Sequence, residues 1–177
     1  TTAHSSATAS SEFNTPEQTE FACVELRAAP IKPTVFVGFC GGGGDSFGFK
    51  EAGFEVIGGA ENVEKVRKVW ADLFQVRAFS EMALVTEIDF ASTFTLSSSS
   101  PCTDMTPAGS QRGWLSIRTA MYITQVTEAI KARVPVIQLE QVTAARNTFT
   151  DQDQLGSPQA VLAEKLRRAG YQVSPEI

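Results

Sequence analysis

The sequence predicts a single α/β domain built on a mostly parallel, doubly wound sheet, on three observations. Its 177 residues are about one domain's length of chain, and 42% of them are hydrophobic, enough for one core. From residue 34 onward, apolar runs of strand length alternate with amphipathic stretches of helical period. The loops after two of these runs are rich in glycine or in serine and proline, and ligand sites in such sheets lie at the carboxyl ends of the strands.

Residues 1–31 open as TTAHSSATASSEF, low in charge and in apolar content, and read as a flexible leader with at most a short helix near 21–26. The folded domain is expected over 32–177. Residues 34–39 read as a buried strand, 45–52 as a short helix, 55–59 as a strand and 63–74 as a helix. A strand over 93–98 follows, then a Ser/Pro/Gly-rich loop to Gly113, a helix over 118–132 and a strand over 134–139. Ile123, Val126 and Ile130 share one face of that helix. A last helix over 158–169 carries Leu162, Leu166 and Ala169 on one face, with Glu164 four residues before Arg168 and Gly170 placed to end it. Residues 171–173 begin a further strand, and the sequence holds no internal repeat.

Fifteen basic residues against twenty acidic ones leave a net charge of −5, so no overall positive field draws the chain onto phosphate. If the protein acts on nucleic acid, most of the grip comes from elsewhere. Cys23, Cys40 and Cys102 form no C-x-x-C pair, which argues against a metal site and against a thioredoxin-type couple, and favours a reducing, intracellular setting. The only histidine, His4, lies in the leader, which argues against a Ser-His-Asp or Cys-His arrangement. Neither an apolar run of 18 residues nor a signal sequence is present, so the expectation is a protein that is neither membrane-bound nor secreted.

Phe39-Cys40-Gly41-Gly42-Gly43-Gly44 directly follows the first strand and opens a helix, where a glycine turn lets backbone approach a ligand. Glu61, close to twenty residues on at the end of the second strand, can accept hydrogen bonds from both hydroxyls of a ribose. Together they point to an adenosine-containing cofactor, although a glycine loop alone reads equally well as a tight turn. No Gly-Lys-Ser/Thr follows, which disfavours a P-loop, and the third glycine of G-x-G-x-x-G is replaced by Ser46, which leaves nicotinamide cofactors a weak alternative. Cys102 follows a later strand in SSSSPCTDMTPAG, at the same sheet edge as the glycine loop, and is a candidate nucleophile. Taken alone, it is more often a small buried thiol. Glu140 ends the run Val136-Ile137-Gln138-Leu139 and adds an acid at that edge.

In order, these residues resemble the catalytic half of the cytosine carbon-5 DNA methyltransferases. Residues 39–44 with Gly48, Gly53 and Phe54 are similar to the family's F-x-G-x-G-G loop and the helix behind it, and Glu61, Trp70 and Phe74 to its second motif. Residues 100–109 resemble P-P-C-Q-x-F-S-x-A-G; Arg118, Met121 and Tyr122 resemble R-x-x-L-F; Leu139-Glu140-Gln141-Val142 resembles L-E-N-V. The resemblance implies a Rossmann-like fold that binds S-adenosylmethionine. Cys102 would add to carbon 6 of a flipped cytosine, Glu140 would hydrogen-bond or protonate ring nitrogen 3, and Gln141 would stand where an asparagine braces the cysteine loop. Phe39, Cys40, Gly41, Gly42, Gly43, Gly44, Glu61, Asn62, Pro101 and Met121 would hold the cofactor. Either Glu87-Ile88 or Asp89 would supply the acidic group for the adenine amine, with the choice between them open.

Three positions depart from the family pattern: Val37 stands for an aspartate, Ser100 for a proline and Gln141 for the asparagine. The extra methylene of Gln141 is expected to put the brace at risk. The resemblance also places the base-polarising arginine motif, the DNA-reading region and the last cofactor motif beyond Ile177. The expectation is thus a domain truncated on its C-terminal side, whose DNA contact comes from a missing region or a partner chain. Its compartment would be the cytoplasm of a prokaryote or the nucleus of a eukaryote. Two alternatives share the fold: a transfer-RNA cytosine methyltransferase, and a non-catalytic regulatory module, the reading that Gln141 favours.

Overall fold

Val35, Phe36 and Val37 form an apolar run buried on both faces, and such a run is stable inside a sheet that helices cover on each side. The computed structural model, which describes residues 32–104, 116–142 and 157–174, puts that run in the middle strand. β1 (Thr34–Gly38) is joined by β2 (Glu55–Ala60), β3 (Ala78–Phe79), β4 (Thr95–Ser99) and β5 (Val136–Glu140) in the order β3-β2-β1-β4-β5. The pairings are all parallel. Among the described residues, four helices accompany them: α1 (Gly44–Glu51), α2 (Glu64–Phe74), α3 (Ile117–Lys131) and α4 (Pro158–Arg168). The chain runs outward from β1 to β3 and then returns to β4 on the other side, which makes the carboxyl ends of β1 and β4 the switch point of the sheet.

Strand alternation sends Val35 and Val37 to one face, where they pack with Val56, Trp70 and the partly buried Phe49 and Phe74. Phe36 faces the other way and meets Leu96, Phe90, Met82 and Ala129. α4 joins this second face through Leu162 and Leu166, which pack on Tyr122 and Val126 of α3. Trp70 is fully buried and donates its indole N–H to Ser46 Oγ at 2.9 Å, tying α2 to α1. The helix ends follow ordinary capping rules. Ser116 caps α3 by accepting from Arg118 N, and Ser157 caps α4, with Pro158 in the first turn. Arg168 Nε meets Glu164 Oε1 at 2.8 Å, and Gly170 takes φ 92° just past the helix.

The alternation read from the sequence is present, with corrections at particular elements. β3 and the 3-10 turn Met82–Leu84 add to the expected elements, because two residues of strand carry no period from which to read them. β5 starts at Val136 rather than 134, since Arg133 adopts φ 56° and Val134 N still bonds Ala129 O at the end of α3. Residues 171–173 do not form a strand. Tyr171 instead closes α4 through its N–H to Leu166 O, and its hydroxyl donates to Val134 O at 2.8 Å. The expected leader, its short helix and most of the loop to Gly113 lie outside the described residues. Among the described residues, no helix is long and apolar enough to cross a membrane.

Close approach of α2 to the sheet depends on glycine in β2. A methyl group on Gly59 would stand 2.6 Å from Trp70 Cη2 and 2.9 Å from Val37 O, neither of which can yield. Gly59→Ala is therefore expected to destabilise the domain by about 1–3 kcal/mol in urea unfolding. Gly48→Ala, in α1 with open space around the new methyl, is expected to be neutral or to stabilise by roughly 0.5–1 kcal/mol.

Candidate active site

The parallel register brings the strand ends level. Gly38 pairs with Ala60 and with Ser98, Ala60 with Phe79, and Ser98 with Leu139. The residues that come next in each strand therefore share one edge: the glycine loop after β1, Glu61 after β2, Glu81 after β3, the cysteine loop after β4, and Glu140 with Gln141 at the end of β5.

Three residues of the glycine loop take left-handed backbone: Phe39 at φ 55°, Gly41 at 49° and Gly43 at 96°. A non-glycine residue in that region is strained, and such strain is held where the surroundings fix it. Here Cys40 N bonds Ala60 O at 2.9 Å, and Gly43 N bonds Cys40 O at 3.0 Å. Gly43 also has no room for a side chain, since a Cβ would stand 3.0 Å from Phe74. Glu61 ties this loop to β2. Its Oε2 accepts from Gly41 N at 3.1 Å, and its Oε1 accepts from Val63 N at 2.7 Å.

A cavity of about 180 Å³ opens at this edge. Phe39, Glu61 and Asn62 line one part of it, Pro101 and Met121 another, so five of the residues singled out in the sequence meet there. Glu81, Met82, Ser99 and Arg118 line it as well. The glycines at 41–44 do not line it; Gly41 is tied by its N–H to Glu61, which does, and Cys40 is buried in the core. Burial first, and the charge of Glu61 second, push the Cys40 thiol up to about 12.

Glu87, Ile88 and Asp89 do not reach the cavity, which corrects their assignment. Ile88 is 80% exposed, and Asp89 Oδ2 accepts from Thr86 N at 2.9 Å and Thr86 Oγ1 at 3.0 Å within a local turn. The physical reason is direction. This stretch carries the chain away from the ligand edge toward the opposite end of the sheet, where Phe94 N bonds Thr34 Oγ1 at the start of β1. Glu81 is the acid that β3 delivers to the cavity. Glu81 lies two residues past the end of β3, where Glu61 directly follows β2, and a two-residue strand gives no period that would mark that end in the sequence.

Cys102 is half-buried and begins a 3-10 turn, Cys102–Asp104, directly after Pro101. Side chains from three other elements hold its segment. Ser99 Oγ donates to Asp45 Oδ2 of α1 at 3.1 Å, and Arg118 Nη1 of α3 donates to Thr103 Oγ1 at 3.2 Å. Gln141 Nε2 donates to Ser100 O at 3.1 Å and to Ser100 Oγ at 2.7 Å. Glu140 is exposed at the end of β5, level with Ser99 in the register. It lines a second cavity, about 680 Å³, along the outer side of β5 rather than the smaller one. Burial, and secondarily the charge of Glu140, push the Tyr122 phenol well above its usual range.

No curated protein matches the chain. Two solved structures share its fold, each with low sequence identity. One is described as a DNA modification methyltransferase encoded within an E. coli prophage, with 17% identity and a TM-score of 0.57 over 78% of this chain and 38% of that one. The other is the S. pombe Dnmt2 methyltransferase, with 15% identity and a TM-score of 0.58 over 77% of this chain and 42% of that one. The chain thus spans about two fifths of the length of the structures it resembles. The sequence profile of the C-5 cytosine-specific DNA methylases matches residues 38–177, which include the glycine loop, the cysteine loop, Glu61, Glu81 and Glu140. The chain belongs to the C-5 cytosine-specific DNA methylase family.

Proposed function

We propose that this chain is the cofactor-binding and nucleophile-bearing part of an enzyme that methylates carbon 5 of cytosine in DNA, with S-adenosylmethionine as methyl donor. One observation carries the reading. A single cavity is bounded by Glu61, which is tied to the glycine loop, and by Pro101, the residue before Cys102. The wall suits an adenosine. Phe39, Met82 and Met121 offer apolar surface for a flat base, and Glu81 offers an acceptor for an exocyclic amine. Each Glu61 oxygen takes one backbone N–H, and a carboxylate oxygen has a further lone pair free for a ribose hydroxyl.

S-adenosylmethionine supplies an electrophilic methyl group when bound. Carbon 5 of cytosine is a weak nucleophile, and the chain's residues change that. The Cys102 thiolate adds to carbon 6, which moves electron density toward ring nitrogen 3 and makes carbon 5 an enamine carbon. The Glu140 carboxylic acid hydrogen-bonds or protonates nitrogen 3 and so stabilises the charge that develops there. After methylation, loss of the carbon 5 proton expels Cys102. Since carbon 6 is hidden in a stacked duplex, the base must leave the stack to reach this edge. The neighbouring thiol cannot serve as this nucleophile, because Cys40 is buried, and with its pKa at about 12 it stays neutral throughout the physiological range.

Titration calorimetry of the full chain tests the cofactor reading. S-adenosylmethionine is expected to bind saturably and NAD not to bind. Glu61→Ala should weaken binding by roughly tenfold or more, the effect of losing a hydrogen bond to a charged group. Glu81→Ala should weaken it too, whereas Asp89→Ala should not. Equal losses at Glu81 and Asp89, or no saturable binding, would overturn the reading. The nucleophile is tested separately by iodoacetamide at pH 8 with peptide mass mapping. Cys102 is expected to label and Cys40 to remain unlabelled, because a pKa raised to about 12 leaves almost no thiolate four pH units below it.

A further inference from the structure

Two of this chain's departures from the family pattern touch one another. Ser100 stands where the pattern has proline and Gln141 where it has asparagine, and both Gln141 amide bonds to Ser100 run through Nε2, to the carbonyl oxygen at 3.1 Å and to the hydroxyl at 2.7 Å. The other end of the amide is engaged as well, since Gln141 Oε1 accepts from Val142 N at 2.9 Å. That bond fixes which way the amide faces. A proline at 100 would offer no hydroxyl, so the second bond exists only because of the serine. We propose that Ser100 and Gln141 are a matched positioning pair that sets the place of Cys102, the longer amide reaching a hydroxyl that the serine supplies.

Burial decides which tether matters most. Ser100 is 5% exposed and its bonds to Gln141 are part-buried, whereas the Ser99–Asp45 and Thr103–Arg118 bonds are exposed. Hydrogen bonds shielded from water are the stronger constraint on geometry. The pair acts two residues before Cys102, across Pro101, whose ring fixes φ and holds Ser100 in an extended conformation. A shift at Ser100 is therefore passed on to the thiol with little slack. The exposed bonds add direction, one from α1 behind the glycine loop and one from α3.

The catalytic meaning of this pair rests on the proposed role of Cys102, but its test does not require methyl transfer. The measurement is the rate of iodoacetamide alkylation at Cys102 in the full chain, followed peptide by peptide, with thermal melting in parallel. Ser100→Ala should raise the rate about fivefold, the factor for losing one ordinary hydrogen bond, and Gln141→Ala, which loses the bond to the carbonyl as well, by at least as much. The double variant should be no faster than Gln141→Ala alone, because removing the amide already removes the bond to the serine hydroxyl. Ser100→Thr keeps the hydroxyl and should match the parent chain. Gln141→Asn loses the reach to the hydroxyl and should behave as Ser100→Ala. Unchanged rates, effects that multiply in the double variant, or a parent-like Gln141→Asn would each overturn the proposal. So would a matching rise at buried Cys40, which would mark general unfolding. S-adenosylmethionine binding in the same variants reports on the cofactor reading alone, so the failure of one is separable from the failure of the other.

Discussion

Parallel pairing of β1 with both β2 and β4 is the constraint on which the site depends. Burial of Val35, Phe36 and Val37 on both faces fixes β1 in the centre, and once its register is set, Gly38 lies level with Ala60 on one side and Ser98 on the other. The side chains that matter are delivered by the residues immediately beyond those positions. A slip of one residue would turn Phe36 toward the α1 and α2 face and Val37 away from it, at the cost of both clusters. The same burial that stabilises the sheet thus aligns Glu61, Glu81 and the cysteine loop, with no separate device needed.

The polar character of β4 fits that position. Four consecutive serines, Ser97 to Ser100, would be an unusual composition for a core strand, yet Ser97, Ser98 and Ser100 are all buried. Ser98 donates to Gln125 Oε1 of α3 at 2.8 Å, in a space that exists because Gly38 carries no side chain: a Cβ there would stand 2.1 Å from Gln125 Nε2. Small hydroxyl residues let the helix approach, and each serine beyond Ser97 finds a partner in a different element: Gln125, Asp45 and Gln141 in turn. The strand that carries the cysteine loop is therefore anchored by directional side-chain bonds in addition to its backbone pairing with β1 and β5.

The site is legible in the sequence wherever its signal is local. Phe39 at the head of the glycine loop, Glu61, Pro101 and Met121 are identified by their position just after an apolar run or within one helical turn, and they meet at one cavity. Glu81 escapes such a reading because β3 is two residues long and has no periodicity from which its end could be found. Glu87, Ile88 and Asp89 draw the assignment instead because an acid beside an apolar residue looks alike in any loop, whereas the direction of the chain after β3 is a tertiary property. Gln141 shows a different limit. Judged alone, its extra methylene looks like a defect; beside Ser100, forty-one positions away in sequence, it is the length that closes the contact.

Charge at the ligand edge bears on how a nucleic acid would approach it. Asp45, Glu61, Glu81 and Glu140 all stand there, with Arg118 as a cation among them, in a chain whose net charge is −5. Such an edge repels phosphate at the range of a Debye length, so it is ill suited to hold a nucleic-acid backbone. It is suited to a neutral base and to a cationic methyl donor, both of which avoid that repulsion. On the proposed reading, the acidic edge therefore selects for an extruded base over its own backbone. The phosphate contacts that offset the cost of extrusion must then come from surface outside this edge, which separates the residues that do chemistry from those that bind DNA.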